Sequence, residues 1–252
     1  MNVDERDTVA TQFSVATEQV ERDHLISHLL AFLSRSFGDR IHFIGGTALA
    51  RTHLPDGRLS EDIDLIALGD RKLVAQDLDA ALPRAVPRSH GRLTVEPALS
   101  SIADTLPVLI RPADGHPIRL QLLSSGERIL WPTERRALVQ RYADAPPAKL
   151  LVPTLPAFAA SKTATWADRR AARDLWDLWA LNKIGAIDPA AAALFRRFGP
   201  TNRDPGDYLF RDAPSDTVWR TQLAGQTRLT VSAKDALYAV RGAWRNAVSC
   251  SS

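Results

Sequence analysis

The chain has 252 residues, 45% of them apolar and 24% charged, an ordinary globular composition with room for one sizeable core or two small ones. No window approaches eighteen uninterrupted apolar residues, the opening MNVDERDTVATQ carries acids where a secretory leader carries basic residues and then an apolar run, and Cys250 is the sole cysteine; the expectations are a cytoplasmic protein with no internal disulfide and no thiolate zinc site. The formal net charge of +3 is no nucleic-acid signature, but 27 of the 32 basic residues are arginine, and guanidinium groups suit phosphate surfaces through bidentate donation.

Val20, Leu25, Ile26, Leu29, Leu30 and Leu33 recur at helical spacing and predict an amphipathic packing helix over 17–37 that ends near Gly38. IHFI at 41–44 is a short apolar run broken by Gly45 and Gly46, after which 47–52 reads as a helical turn, so the order is strand, tight turn, helix start. LPDGRLS leads into a second strand, DIDLIAL, followed by a helix over 70–82 and strands near 93–98 and 106–111. Asp-Gly in PADGHP, set between LPVLIR and IRLQLL, is a hairpin signal. Pro132, Pro146, Pro147, Pro153 and Pro156 then punctuate a connecting stretch, beyond which the patterns are helical at 155–166, 171–183, 188–198, 215–223 and 232–247. The expected class is α+β: a first part with a mixed sheet, a boundary between 125 and 153, and a mainly helical second part.

The most informative stretch is Ser60-Glu61-Asp62-Ile63-Asp64-Leu65. Residues two apart on a strand share a face, about 7 Å apart along it, so Asp62 and Asp64 converge while Ile63 and Leu65 turn into apolar packing. Two adjacent carboxylates repel, and burying each costs several kcal/mol; a divalent cation removes that penalty, and hard oxygen ligands suit magnesium, with manganese the alternative. Upstream, Gly45-Gly46-Thr47 stands at a strand-to-helix turn, where backbone N–H groups meet an anion and glycine permits close approach; with Ser60 it makes a cradle for terminal phosphates.

These motifs, GGTALAR followed by LSEDIDL, resemble the signature of the polymerase-β-like nucleotidyltransferase superfamily, and their form is similar to its AbiEii/AbiGii-type toxin branch, which includes the MenT toxins. That branch carries a lysine and then an Arg-Asp pair before an aromatic-rich helix in its second domain; here these are Lys162 in FAASKTATW and Arg173-Asp174 in RRAARDLWDLWAL. The resemblance spans about 41–182. It implies a nucleotidyltransferase catalytic domain at 1–125, a connecting region at 126–153, and a helical domain at 154–252 that carries the lysine and the Arg-Asp motif. It further implies metal ligation by Asp62 and Asp64, nucleotide binding by Gly45, Gly46, Thr47, Ser60, Lys162 and Arg173, and catalytic roles for Asp62, Asp64, Lys162 and Asp174. Two positions depart from the pattern: IRLQLL offers Gln121 where the wider superfamily places a third carboxylate, and Ala171 or Ala172 stands where a basic residue often precedes the Arg-Asp pair.

Without the resemblance, a salt-bridged helix start explains Arg169, Arg170, Arg173, Asp174 and Asp177 equally simply, since the two acids lie three apart and share a helical face. Trp176 and Trp179, with Leu175, Leu178 and Leu181, form the stripe of a buried helix face and are read as core. No histidine pairs with a serine or cysteine at an interpretable spacing, so a nucleophilic triad is unsupported. The expected activity is transfer of a nucleoside monophosphate from a triphosphate, with release of pyrophosphate. As the resemblance implies, this is a toxin held by a cognate antitoxin, with the 3′ end of tRNA as acceptor and cytidylate the favoured addition. A protein or small-molecule hydroxyl as acceptor, and a nucleotide-binding module with weakened catalysis, remain the alternatives.

Overall fold

The computed structural model describes residues 1–126 and 130–250. The chain forms two compact units: residues 1–130 with 134–152, and residues 131–133 with 153–252.

The first unit begins with α1 (Val3–Phe13) and α2 (Thr17–Phe37). The predicted stripe of α2 is its buried face, with Val20, Leu25, Ile26, Leu29, Leu30 and Leu33 each at most 1% exposed. Burial on this scale contributes about 2 kcal/mol per side chain as an upper estimate. Then follow β1 (Ile41–Ile44), the short α3 (Gly45–Ala50), β2 (Asp62–Ala67), α4 (Arg71–Ala81), β3 (Thr94–Glu96), β4 (Val108–Arg111) and β5 (Ile118–Ser124). Asp70 caps α4 by accepting from the N–H groups of Lys72 and Leu73.

Residues 126–153 do more than connect. Around the undescribed residues 127–129 they supply β6 (Thr133–Ala137) and β7 (Lys149–Pro153), and 134–152 pack with the first unit. Seven strands thus form one mixed sheet in the order β3-β4-β5-β2-β1-β7-β6. β2 lies antiparallel to β1 and parallel to β5, which sets Ile44 and Gln121 on either side of Asp64. The hairpin at Asp-Gly joins β4 to β5 in antiparallel register. Phe43, Ile63, Leu65, Leu120 and Leu122 are fully buried.

A buried polar knot anchors the glycine turn from behind. Arg51, at the end of α3 and wholly inaccessible, donates to the Asp23 carboxylate at 2.8 Å and to the carbonyls of Asp23 and Val139 at 2.9 Å. The Tyr142 hydroxyl donates to the second Asp23 oxygen at 3.0 Å. Burial lowers the Arg51 guanidinium to about 10 despite the Asp23 charge, and raises the Tyr142 phenol. One carboxylate shared by these donors ties α2, α3 and the segment after β6 together.

The second unit contains α5 (Leu155–Arg169), α6 (Ala172–Lys183), α7 (Pro189–Phe198), α8 (Asp216–Leu223) and α9 (Ala233–Ser249). Its core includes Trp166, Leu175, Trp176, Leu178, Phe195 and Trp244, all at most 4% exposed, and α6 packs on α5 and α9. Among the described residues no helix is long and apolar enough to cross a membrane.

Candidate active site

In the first unit the structure brings together Gly45, Gly46, Thr47, Ser60, Asp62 and Asp64. Strand β2 places the two acids on one face, both half-buried, while Ile63 between them is inaccessible. Gly45 has φ +80°, and a Cβ there would collide with the Asp64 carboxylate oxygen, so only glycine lets the turn pass beneath the acid. A Cβ at Gly46 would come within 2.5 Å of Arg58 Nη2 and 3.2 Å of Ser60 Oγ, so the second glycine keeps the space beside the serine open. The Thr47 hydroxyl donates to the Asp62 carbonyl, pinning α3 to the start of β2. Since α3 has only six residues, its dipole is small.

Arg119 and Arg58 escaped the sequence reading. Arg119 sits opposite Asp62 in the β2–β5 register and grips it with two donors, Nε to Oδ1 at 2.9 Å and Nη2 to Oδ2 at 3.4 Å. That hydrogen-bonded pair, reinforced by Glu61 and Asp64, raises the Arg119 guanidinium. The signal was the alternation in IRLQLL: an arginine two before Gln121 shares the Gln121 face, and the register of a neighbouring strand decides which acid it meets. Arg58 is buried at 4% exposure beside Gly46, in a segment that reads as a loop. Gln121 lies beside Asp64 in register and donates from Nε2 to the Asp104 carbonyl at 3.2 Å.

The donor set around Asp62 and Asp64 consists of hard oxygens on one face of β2, with the Asp62 side chain 27% exposed. These residues fit a divalent cation of the magnesium type, which takes one or two protein carboxylates and fills its shell with water and phosphate oxygens.

In the second unit the structure gathers Lys162, Asp174, Asp177 and Arg169. Lys162 on α5 reaches across to α6, 2.6 Å from Asp177 Oδ2 and 3.3 Å from Asp174 Oδ1. Asp174 is inaccessible and takes a second cation, Arg169, at 2.7 Å and 3.0 Å. One lysine and one arginine thus pair with two buried carboxylates, and the lysine points where both acids direct it. Arg169 grips Asp174; Arg173, half-buried, has its place on the first turn of α6.

A model of the family described as nucleotidyl transferase AbiEii toxin, type IV toxin–antitoxin system, matches residues 29–246. The fold is similar to that of MenT4, a nucleotidyltransferase toxin from Mycobacterium tuberculosis H37Rv, with a TM-score of 0.71 at 23% identity over 95% of this chain and 88% of that one. It is also similar to a protein from H. pylori assigned as a nucleotidyltransferase, with a TM-score of 0.55 at 15% identity over 94% of this chain and 97% of that one. At these identities the two likenesses concern the fold. No curated protein matches the sequence.

Proposed function

The chain belongs to the AbiEii family of nucleotidyl transferase toxins of type IV toxin–antitoxin systems, and from that premise we propose that it transfers a nucleoside monophosphate, preferentially cytidylate, from its triphosphate to the 3′ end of tRNA. That addition removes the acceptor end from translation. The observation that carries this reading is the Asp62 and Asp64 pair standing over a glycine turn that only glycine can make.

In this reading Asp62 and Asp64 hold magnesium or manganese, which supplies charge neutralisation for the triphosphate and for the oxygens that attack and leave. The Ser60 hydroxyl and the backbone N–H groups of Gly46 and Thr47 donate to the terminal phosphates, with Gly45 allowing the close approach. Lys162 and Arg173 add cationic donors to the nucleotide, and Asp174 and Asp177 aim the lysine. An acceptor hydroxyl attacks the α-phosphorus; the new O–P bond forms as the bond to the β-phosphate oxygen breaks, pyrophosphate leaves, and the hydroxyl proton is released to water. Positioning and electrostatics supply the rate, and no covalent enzyme intermediate is formed. The arginine bias supports a polyanionic acceptor, and the family supports a cognate antitoxin as partner. A cytoplasmic site of action fits an acceptor and a triphosphate that are both cytoplasmic.

Gln121 beside Asp64 favours a second reading, a nucleotide-binding module with weakened catalysis, because an amide cannot ligate as a carboxylate does or accept the hydroxyl proton. One experiment separates the two. The purified protein and Asp64→Ala are incubated with total tRNA, Mg²⁺ and each α-labelled triphosphate in turn. Label on RNA that disappears in the variant supports transfer; triphosphate binding with no label and no pyrophosphate from any acceptor supports the binding module.

A further inference from the structure

None of the six histidines of the chain belongs to the site described above, and three of them, His24, His28 and His90, converge with a carboxylate in the first unit. His24 and His28 are four apart on α2 and therefore share a face. Asp144, from the loop between β6 and β7, faces them both. His24 Nε2 is 3.2 Å from His28 Nε2 and 3.0 Å from Asp144 Oδ1, and His28 Nε2 is 3.7 Å from the same oxygen.

We propose that His24, His28 and Asp144 form a zinc site separate from the triphosphate site. Zinc bound at about 2.0–2.1 Å in a tetrahedron has ligand-to-ligand edges of about 3.3–3.4 Å. The three edges here scatter around that value, so one ion fits above the triangle without rearranging the backbone. Without an ion, His24 Nε2 faces both Asp144 and His28 Nε2, and the two ring nitrogens can hold only one proton between them. With zinc bound, each nitrogen lone pair and Asp144 Oδ1 has the same partner. Asp144 Oδ1 is the carboxylate oxygen that faces both imidazoles, at 3.0 Å and 3.7 Å.

The surroundings supply the outer contacts that such a site needs. His24 Nδ1 lies 3.1 Å from His90 Nε2, and His90 Nδ1 lies 3.0 Å from the Ser89 hydroxyl. A zinc-bound His24 carries its proton on Nδ1, donates to His90, and His90 in turn donates to Ser89; metal-bound imidazoles are oriented by such partners. A cleft of about 530 Å³ lined by His28, Asp144, Phe32, Arg35 and Arg88 opens on the triangle and gives water access to the fourth position. Mixed imidazole and carboxylate donors favour zinc over magnesium. Since the ligands come from α2 and from the loop after β6, bound zinc clamps the two segments that also share the Asp23–Arg51 knot.

The test uses the full chain, stripped with chelator and titrated with ZnCl₂. Calorimetry and metal analysis are expected to show one equivalent bound, a raised Tm, and a tetrahedral visible spectrum when Co²⁺ replaces Zn²⁺. His28→Gln and Asp144→Asn, each checked for fold by circular dichroism, should abolish the shift, and His90→Gln should weaken zinc binding about 10–100-fold by removing the outer partner. Asp64→Ala should bind zinc as the parent does. Zinc binding unchanged in a His24→Gln/His28→Gln double variant, or no stoichiometric binding by the folded parent, would overturn the proposal. None of these readouts depends on nucleotidyl transfer.

Discussion

Gly45 passes beneath Asp64 at φ +80°, so close that a methyl group cannot stand between the backbone and the carboxylate. The β1–β2 register makes this contact unavoidable, because Ile44, the residue before the glycine, lies directly opposite Asp64. Alanine at 45 would have to push Asp64 away and adopt a left-handed backbone at a cost of about 1–2 kcal/mol. We expect Gly45→Ala to lower nucleotidyl transfer at least about 100-fold through the displaced acid, with only a modest fall in Tm. Pyrophosphate release and a thermal melt on the same sample check this; full activity in the variant contradicts the cradle.

Arg119 pairs with Asp62, one of the two acids of the motif. The pair is partly exposed, so its loss should change global stability by less than about 1 kcal/mol. Arg119→Ala should nonetheless tighten Mn²⁺ binding, since Asp62 is then free to act as a ligand in the unliganded protein. A metal titration of the variant that matches the parent would show that the Arg119 contact does not compete with the ion.

Lys162 between Asp174 and Asp177 is part of the core as well as a proposed nucleotide ligand. Lys162→Met removes the cation that both buried acids share and should cost about 3–5 kcal/mol in a denaturant melt. Adding Asp177→Asn removes the carboxylate nearest the lost ammonium and should recover a large part of that loss without restoring transfer. Recovery of both would place Lys162 in packing alone.

Histidines set an acid limit on stability. Burial lowers His24, His28 and His42 below 6.5, and burial together with the charges of His24 and His28 lowers His90 to about 4. Each group protonates first in the unfolded chain, so its contribution is fully present above about pH 6.5 and shrinks as pH falls through the range between the unfolded and folded values. Chelator-treated protein should therefore melt several degrees lower at pH 5 than at pH 7.5, and His90→Gln should flatten that slope. A Tm independent of pH between these values would contradict it.

The acidic motif, the glycine turn, the long packing helix and the five helices of the second unit were legible because each is written in local periodicity or spacing. Helix α1 was not, since only Val9 and Phe13 of its eleven residues are buried and its pattern is weak. Strand β6 was hidden for a related reason: TERRA lies at the sheet edge with no buried residue and alternates nothing apolar. The residues that tune the site required the tertiary structure. Arg119 meets Asp62 only through the β2–β5 register, Lys162 meets Asp177 only because α5 packs on α6, and Asp144 meets His24 across a separation of 120 positions. The sequence by itself determined which groups can do chemistry and which faces they occupy, because side-chain periodicity is a property of the local backbone. Which charges face one another was decided by register and packing, whose energies arise between segments distant in the chain.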